Sequence, residues 1–131
     1  LAWRLRLLGW QAFYEPRALA WHARTAGESA AISYFGIIKE RLKISQFAKY
    51  LSFKNQRLMQ IKNELPGLLL LHIFWWLPKE IAAWLYVIFF EHYTWRAIKD
   101  FFKEMPLAWQ KRQLIMEKRK TSAKEMAKWF K

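Results

Sequence analysis

Residues 68–77, LLLLHIFWWL, and residues 81–90, IAAWLYVIFF, are apolar on every side and carry most of the information about the fold. A proline and two charged residues, 78–80, separate them. A membrane-spanning helix needs about 20 predominantly apolar residues, and each run supplies about half of that. Because proline interrupts helical hydrogen bonding, the pattern favours a pair of apolar, Trp-rich helices over residues 67–93. We expect this pair to lie in a membrane interface or against a partner domain, although a single span stays open.

Basic segments flank the apolar block on both sides. Residues 32–66 have apolar side chains at near-helical spacing, and between residues 39 and 62 seven bases oppose a single acid, Glu40. Residues 94–131 repeat the pattern, with eleven bases and four acids. Both segments are therefore predicted to form basic amphipathic helices.

The composition excludes several classes of protein. The 131 residues include 23 Lys and Arg against 10 Asp and Glu, a formal net charge of +13, and 54% of them are hydrophobic. A chain this apolar can offset its ordering entropy by burial, so intrinsic disorder is excluded. The absence of cysteine from the sequence excludes a disulfide framework, a thiolate zinc site and a cysteine nucleophile.

Basic helices bind either nucleic-acid phosphates or anionic membrane surfaces. The apolar block favours the membrane, because a soluble nucleic-acid-binding protein has no use for about twenty nearly uncharged residues between its basic segments. Trp and Tyr prefer the headgroup level of a bilayer. We therefore expect a membrane surface as partner and no nucleic acid, with membrane contacts at Trp75, Trp76, Trp84 and Tyr86.

Two other interpretations of the apolar block remain open. Aromatic side chains at helical spacing are often core residues, and a partner domain could also cover them. The chain could then be a non-enzymatic, basic helical module that binds an anionic membrane or a partner protein.

The first segment, residues 1–31, has a different pattern. Residues 1–9 are predicted to end a helix, with Gly9 as a left-handed cap. Residues 10–14 and 18–21 are predicted to be short strands, followed by a polar loop. His22 begins that loop, where a side chain can point into a cleft.

Residues 1–29, LAWRLRLLGWQAFYEPRALAWHARTAGES, resemble the C-terminal part of the catalytic domain of rhamnosyltransferase-like family 2 glycosyltransferases. The family pattern is Leu-x-x-Arg-x-x-x-x-Gly-Trp, then a Tyr-x-Pro turn, then a His followed by Gly-x-Ser. Further along, Asn55, Arg57, Lys62 and Asn63 match a weaker family pattern. The residues that match the main pattern are Leu1, Arg4, Gly9, Trp10, Tyr14, Pro16, His22, Gly27 and Ser29.

The resemblance implies an α/β fold of GT-A type for residues 1–31, followed by a mainly α-helical, membrane-associating region. The implied reaction is transfer of a sugar from a nucleotide-sugar donor to a glycan or lipid-linked acceptor, with a divalent metal, Mg or Mn, as cofactor. By resemblance His22 contacts the metal, and Arg4, Gly27 and Ser29 contact the donor diphosphate or form its loop. The implied location is the cytoplasmic face of a bacterial inner membrane, peripheral or monotopic.

The sequence also departs from the family. The general base of the family, an Asp, is expected immediately before Leu1, and the sequence contains no Asp-x-Asp motif. We therefore expect the chain to be the C-terminal portion of a longer enzyme, with no catalytic residue and no transferase activity of its own.

Overall fold

A computed structural model describes residues 2–19 and 34–129, and every regular element within these ranges is helical. A single 3₁₀ turn, His92–Thr94, separates the fourth and fifth α-helices. The α-helices are α1 (Ala2–Leu7), α2 (Tyr34–Lys43), α3 (Gln46–Asn63), α4 (Pro66–Phe90), α5 (Trp95–Glu117) and α6 (Ala123–Ala127).

The prediction of an α/β start is wrong for the described residues. Residues 10–19 are exposed and form no strand. Their one regular feature is a turn in which the Ala18 N–H donates to the Glu15 carbonyl at 3.1 Å. A strand persists only when its backbone groups pair with another strand. A short aromatic or apolar run indicates a strand but cannot show that a neighbouring strand exists, and the described residues supply none. The end of the second predicted strand and the loop after it lie outside the described residues.

Helix α1 ends with the left-handed glycine cap that the sequence predicts. Gly9 has a φ of +83°, and the N–H groups of Gly9 and Trp10 donate to the carbonyls of Arg6 and Leu5. This hydrogen-bond pattern is a Schellman motif, which glycine adopts without steric cost. The Leu7 carbonyl then accepts the N–H of Lys120 at 2.9 Å, so the start of the chain is tied to the segment between α5 and α6.

Helices α3 and α5 are the main packed pair, and they run parallel. The Tyr50 hydroxyl donates to Asp100 and Lys54 donates to Glu104, each across 50 residues of sequence. One to two turns further on, Arg112 donates to the Ile61 carbonyl across 51 residues. A constant offset means that both helices advance in the same direction. Helix α4 connects them and therefore runs back across the pair.

Helix α4 is continuous, where the sequence predicts a pair of helices. Pro78 lies inside it and is exposed, as Pro106 lies inside α5. An interior proline costs a helix about 3 kcal/mol. Packing at both ends of α4 offsets that cost. The amino-terminal end is buried through Leu68 and the carboxyl-terminal end through Val87.

Three hydrophobic clusters hold the helices together. The first packs Leu68 against residues of α1, α5 and α6, and the second packs Val87 against Phe53 and Ala97. The third lies between α3 and α5. Their buried members are Leu7, Leu65, Leu68, Ile115 and Met126; Phe53, Val87 and Ala97; and Leu58, Phe101 and Ala108.

A buried carboxylate, Glu91, joins three elements just after α4. Its side chain is 2% exposed, and its two oxygens accept bonds from Arg41 of α2 at 2.9 and 2.6 Å. Lys49 of α3 lies 3.7 Å from the same carboxylate. Burial by itself raises the pKa of Glu91, but hydrogen bonds and charge from Arg41 outweigh burial and hold that pKa below its ordinary value.

We predict that Glu91→Gln destabilises the fold by about 3–5 kcal/mol at pH 7, because it leaves Arg41 and Lys49 without their carboxylate in a buried site. A carboxylate with a lowered pKa stabilises the fold above its unfolded-state pKa and loses that contribution as pH falls through the folded-state pKa. The free energy of unfolding of the unmodified chain should therefore fall below about pH 4.5, the ordinary glutamate value. Denaturation followed by far-UV circular dichroism in a mild detergent measures both effects.

The matched control is Glu40→Gln. Glu40 forms a surface ion pair with Lys43, three residues away on α2, and such pairs contribute about 0–1 kcal/mol. Equal losses of stability for the two variants would contradict the role assigned to Glu91.

Candidate membrane-binding surface

Helix α4 has one face that no other described helix covers. Its side chains recur every three or four residues, so they lie along one side of the helix. Phe74, at 85% exposure, and Trp75, at 76%, are the most exposed of them. We call the exposed apolar side chains of this face the outer stripe, and the exposed Lys79, one turn after Trp75, borders it. The outer stripe consists of Leu70, Leu71, Phe74, Trp75, Leu77, Ile81, Leu85, Ile88 and Phe89.

The opposite face of α4 points toward α3 and α5. Trp76, Glu80, Trp84 and Val87 lie on it at helical spacing, and Val87 is fully buried. Glu80 is one of the two charges that divide the apolar sequence, and it points inward. Its carboxylate accepts the indole N–H of Trp84 at 2.8 Å and lies beside Arg57 of α3.

The contact between Arg57 and Glu80 keeps this charge off the outer stripe. Arg57 Nε and Glu80 Oε1 are 2.5 Å apart and form an ion pair. The guanidinium also donates to the Phe53 carbonyl at 2.9 Å, and its carbon lies 3.6 Å from the centroid of the Phe53 ring. Burial lowers the pKa of Arg57 and the charge of Glu80 opposes that change. A charged pair with this surrounding can stay buried.

Lys54, one turn before Arg57, forms a second pair of the same kind. It donates to Glu104 of α5 at 2.5 Å, and this bond raises the pKa of Lys54. Bases of α3 that the sequence assigns to a cationic face are therefore partly internal. Lys49, Lys54 and Arg57 are all buried against carboxylates of other elements.

Among the helices of residues 2–19 and 34–129, one, α4, is long and apolar enough, by length and composition, to associate with a membrane. Its mean hydropathy reaches 1.4 over the most apolar window. Most of this apolar surface is exposed, unlike that of a core helix in a soluble protein.

The four predicted membrane contacts divide between the two faces of α4. Trp75 lies on the outer stripe. Tyr86 is half-buried and stacks on Phe90, with ring centroids 5.5 Å apart. Trp76 is half-buried and lines an open groove between α4 and the α3–α5 pair, and Trp84 packs edge-on against Phe53, with ring centroids 5.1 Å apart. Trp84 is therefore an internal residue, as the core interpretation of the aromatic pattern expects.

Of the residues assigned by resemblance to the donor and metal site, Arg4 alone is among the described residues. Arg4 is an exposed residue of α1. His22, Gly27 and Ser29 lie outside the described residues. Within residues 2–19 and 34–129, no group of three or more His, Asp or Glu side chains could hold a metal ion. The metal site that the resemblance implies stays a prediction, because His22 is not among the described residues.

Sequence reasoning missed the inward position of Glu80. A signal was available, because Glu80 lies four residues from both Trp76 and Trp84 and off the spacing of the outer stripe. The three acids that pair with the bases of α3 come from other elements, so a local count of charges could not find them.

Comparison of the chain with protein families, with characterised proteins and with solved structures finds no match.

We predict that Trp84→Ala destabilises the fold by about 3 kcal/mol, because truncation of a packed aromatic side chain leaves a cavity and also removes the bond to Glu80. Trp75→Ala, the same substitution on the outer stripe, should change stability by no more than about 0.5 kcal/mol. Urea denaturation in mild detergent compares the two. A larger loss for Trp75→Ala would reverse the assignment of the two faces.

Proposed function

We propose that this chain is a helical membrane-docking module that lies in the interface of an anionic bilayer, with the outer stripe of α4 in the acyl region. The observation that carries the proposal is the exposed apolar outer stripe, which runs along a helix of 25 residues and has a single base, Lys79, at its border. Contiguous exposed apolar surface of this extent is typical of membrane or protein interaction sites. Full transfer of each large side chain out of water contributes about 1.5–3 kcal/mol.

The packing of α4 against the other helices favours an orientation of α4 in the plane of the membrane over one that crosses it. Both of its ends are packed, the first against α5 and α6 and the second against α3 and α5. Helix α5 exposes Lys99, Lys103 and Lys111 along its length. A crossing orientation would carry these bases into the hydrocarbon, at roughly 2.5–3.5 kcal/mol each near its centre. In the plane of the interface they remain in water.

The net charge supports an anionic surface as the partner. At +13 the chain is attracted to the negative leaflets that face the cytoplasm, by about 1 kcal/mol for each base near the surface. In this proposal the location is the cytoplasmic face of a bacterial inner membrane, and the association is monotopic.

We further propose that the module belongs to a membrane-associated family 2 glycosyltransferase, which transfers a sugar from a nucleotide-sugar donor to a cell-envelope or polysaccharide acceptor. The support is the ordered match of nine residues within residues 1–29. Two of these nine, Arg4 and Gly9, have a local structure that suits the match. Arg4 lies in α1, and Gly9 has the left-handed conformation that only glycine adopts freely. The non-enzymatic module stays as the alternative, since it shares the membrane docking and differs only in needing no nucleotide sugar.

We predict that Phe74→Gln lowers partitioning into anionic vesicles about tenfold or more, because it removes the burial of a large side chain on the outer stripe without changing the charge. Vesicles of phosphatidylglycerol and phosphatidylcholine, sedimented with the full chain, measure the partition coefficient. Added salt should weaken binding of the unmodified chain only in part, since it screens the bases but not the apolar contact.

Phe13→Gln is the matched control, because Phe13 has nearly the same exposure, 86%, and lies outside α4. It should bind vesicles like the unmodified chain. Equal losses for both variants would mean that the outer stripe is not the membrane contact. Salt-sensitive binding to duplex DNA, with no preference for lipid, would replace the proposal with nucleic-acid binding.

The glycosyltransferase proposal is tested by the reading frame on the 5′ side of the codon for Leu1. We expect an acidic motif ending in Asp directly before Leu1 and an Asp-x-Asp motif further upstream. The complete product should transfer sugar in the presence of a divalent metal, and His22→Ala should reduce that metal-dependent turnover. A start codon just upstream with no such domain would favour the non-enzymatic module.

A further inference from the structure

Helix α5 carries an exposed apolar surface of its own, on the side that faces α4. Its aromatic members are Trp95, Phe102 and Trp109, and each of them is more than half exposed. They are spaced by seven residues, about two helical turns, so they lie along one side of the helix. Met105 lies on the same side and is exposed as well. We call these four side chains the aromatic edge of α5.

The aromatic edge is continuous with the outer stripe of α4. The indole N–H of Trp95 donates to the carbonyl of Ile88, a member of the outer stripe, at 3.2 Å. The ring centroid of Phe102 lies 6.3 Å from that of Trp84, and Trp109 lines the same open groove as Trp84. The exposed apolar surface of α4 therefore extends onto α5, at the beginning of α5 and again in its middle.

Exposed bases of α5 lie mostly away from the aromatic edge. Lys103 and Lys111 lie about 120° and 160° around the helix from Trp109, at about 100° per residue. Lys99 lies at the border of the edge, about 80° from Trp109. The remaining side of α5 packs on α3 and is buried. A helix that separates exposed aromatic side chains from exposed bases in this way is typical of a membrane surface, where the bases meet lipid phosphates.

Exposure alone does not define the aromatic edge. Leu107 and Leu114 of α5 are also about half exposed, but they lie among the bases. Leu107 follows Phe102 by five residues and Leu114 follows Trp109 by five, so each leucine lies about 140° around the helix from its aromatic counterpart. The two leucines are therefore matched references for the aromatic edge.

The position of α5 relative to α4 sets the depth at which the aromatic edge would lie. The axes of packed helices are about 8–10 Å apart, and an interfacial helix buries its apolar face about 5–10 Å into the boundary between headgroups and acyl chains. With the outer stripe of α4 in the acyl region, the side of α5 next to α4 lies at the level of the headgroups. Indole rings favour this level, because they combine an apolar body with a polar N–H.

We propose that the aromatic edge of α5 is a second membrane contact, which lies among the headgroups of an anionic bilayer beside the outer stripe of α4. Trp95, Phe102 and Trp109 contact lipid, and the bases on the other sides of α5 face the phosphates and the water beyond them. This inference rests on the proposed function, because the orientation of the chain comes from the outer stripe. It goes further by assigning lipid contact to a helix that the sequence identifies only as basic and amphipathic.

The test measures the depth of single labelled positions, which is straightforward because the sequence contains no cysteine. Phe74→Cys reports the outer stripe, Phe102→Cys the aromatic edge, and Leu107→Cys is the matched control, since Phe102 and Leu107 are exposed by 54% and 52%. Each variant of the full chain carries a nitroxide and is bound to vesicles of phosphatidylglycerol and phosphatidylcholine. Collisions with a water-soluble nickel chelate should be about threefold or more rarer at Phe102 than at Leu107, and rarest at Phe74.

Vesicle binding gives a second measurement. Trp109→Gln should lower the partition coefficient of the full chain about fivefold, because a large side chain no longer leaves water on binding. Leu114→Gln is its control, with an exposure of 57% against 56% for Trp109, and it should bind like the unmodified chain. Far-UV circular dichroism checks that both variants keep the helical fold.

The outcomes separate this inference from the proposed function. A label at Phe102 that meets the chelate as often as one at Leu107, with Phe74 in the acyl region, would overturn the aromatic edge and leave the docking function. Lipid contact at Phe102 with water at Phe74 would refute docking by the outer stripe and support the aromatic edge. Spin–spin broadening at Phe102 that vesicles do not remove would assign the edge to a second copy of the chain and overturn the lipid contact.

Discussion

The ion pair between Arg57 and Glu80 is the contact on which the arrangement of α4 depends. A buried charge is tolerated when it is paired, and Glu80 on the inner face of α4 has its partner in Arg57 of α3. The pair links the middle of α4 to α3 and favours the observed rotation of α4 about its axis. With Glu80 inside, Trp76 and Trp84 also point inward, and the outer stripe consists of apolar side chains.

Buried ion pairs also connect α3 to the other helices. Lys49 pairs with Glu91, at the end of α4, and joins α3 to α4. Lys54 pairs with Glu104 of α5, and together with the bond from Tyr50 to Asp100 it sets the parallel register of α3 and α5. Helix α4 packs on these two helices through Leu68 and Val87, and this arrangement leaves an apolar face on the outer side of α4 and an apolar groove on its inner side.

Local signals predicted a good part of the helical structure. Gly9, the predicted cap, ends α1 with a positive φ. Pro78 was the misleading signal. It lies within a continuous helix, because tertiary packing at both ends of α4 outweighs the local cost of one lost hydrogen bond. The predicted strands failed for a similar reason, since strand pairing is not a local property.

The sequence by itself determined that the chain is basic, strongly apolar in its middle and helical over most of its length, because composition and periodicity are carried by neighbouring residues. It also located the apolar block that α4 forms. Only the tertiary structure decided which way that helix faces, which bases are internal, and that Trp84 is a core residue while Trp75 is exposed. Those outcomes depend on partners such as Glu91 and Glu104, about 50 residues away from the bases that they pair with. The sequence pattern of one helix does not show where a second helix packs against it.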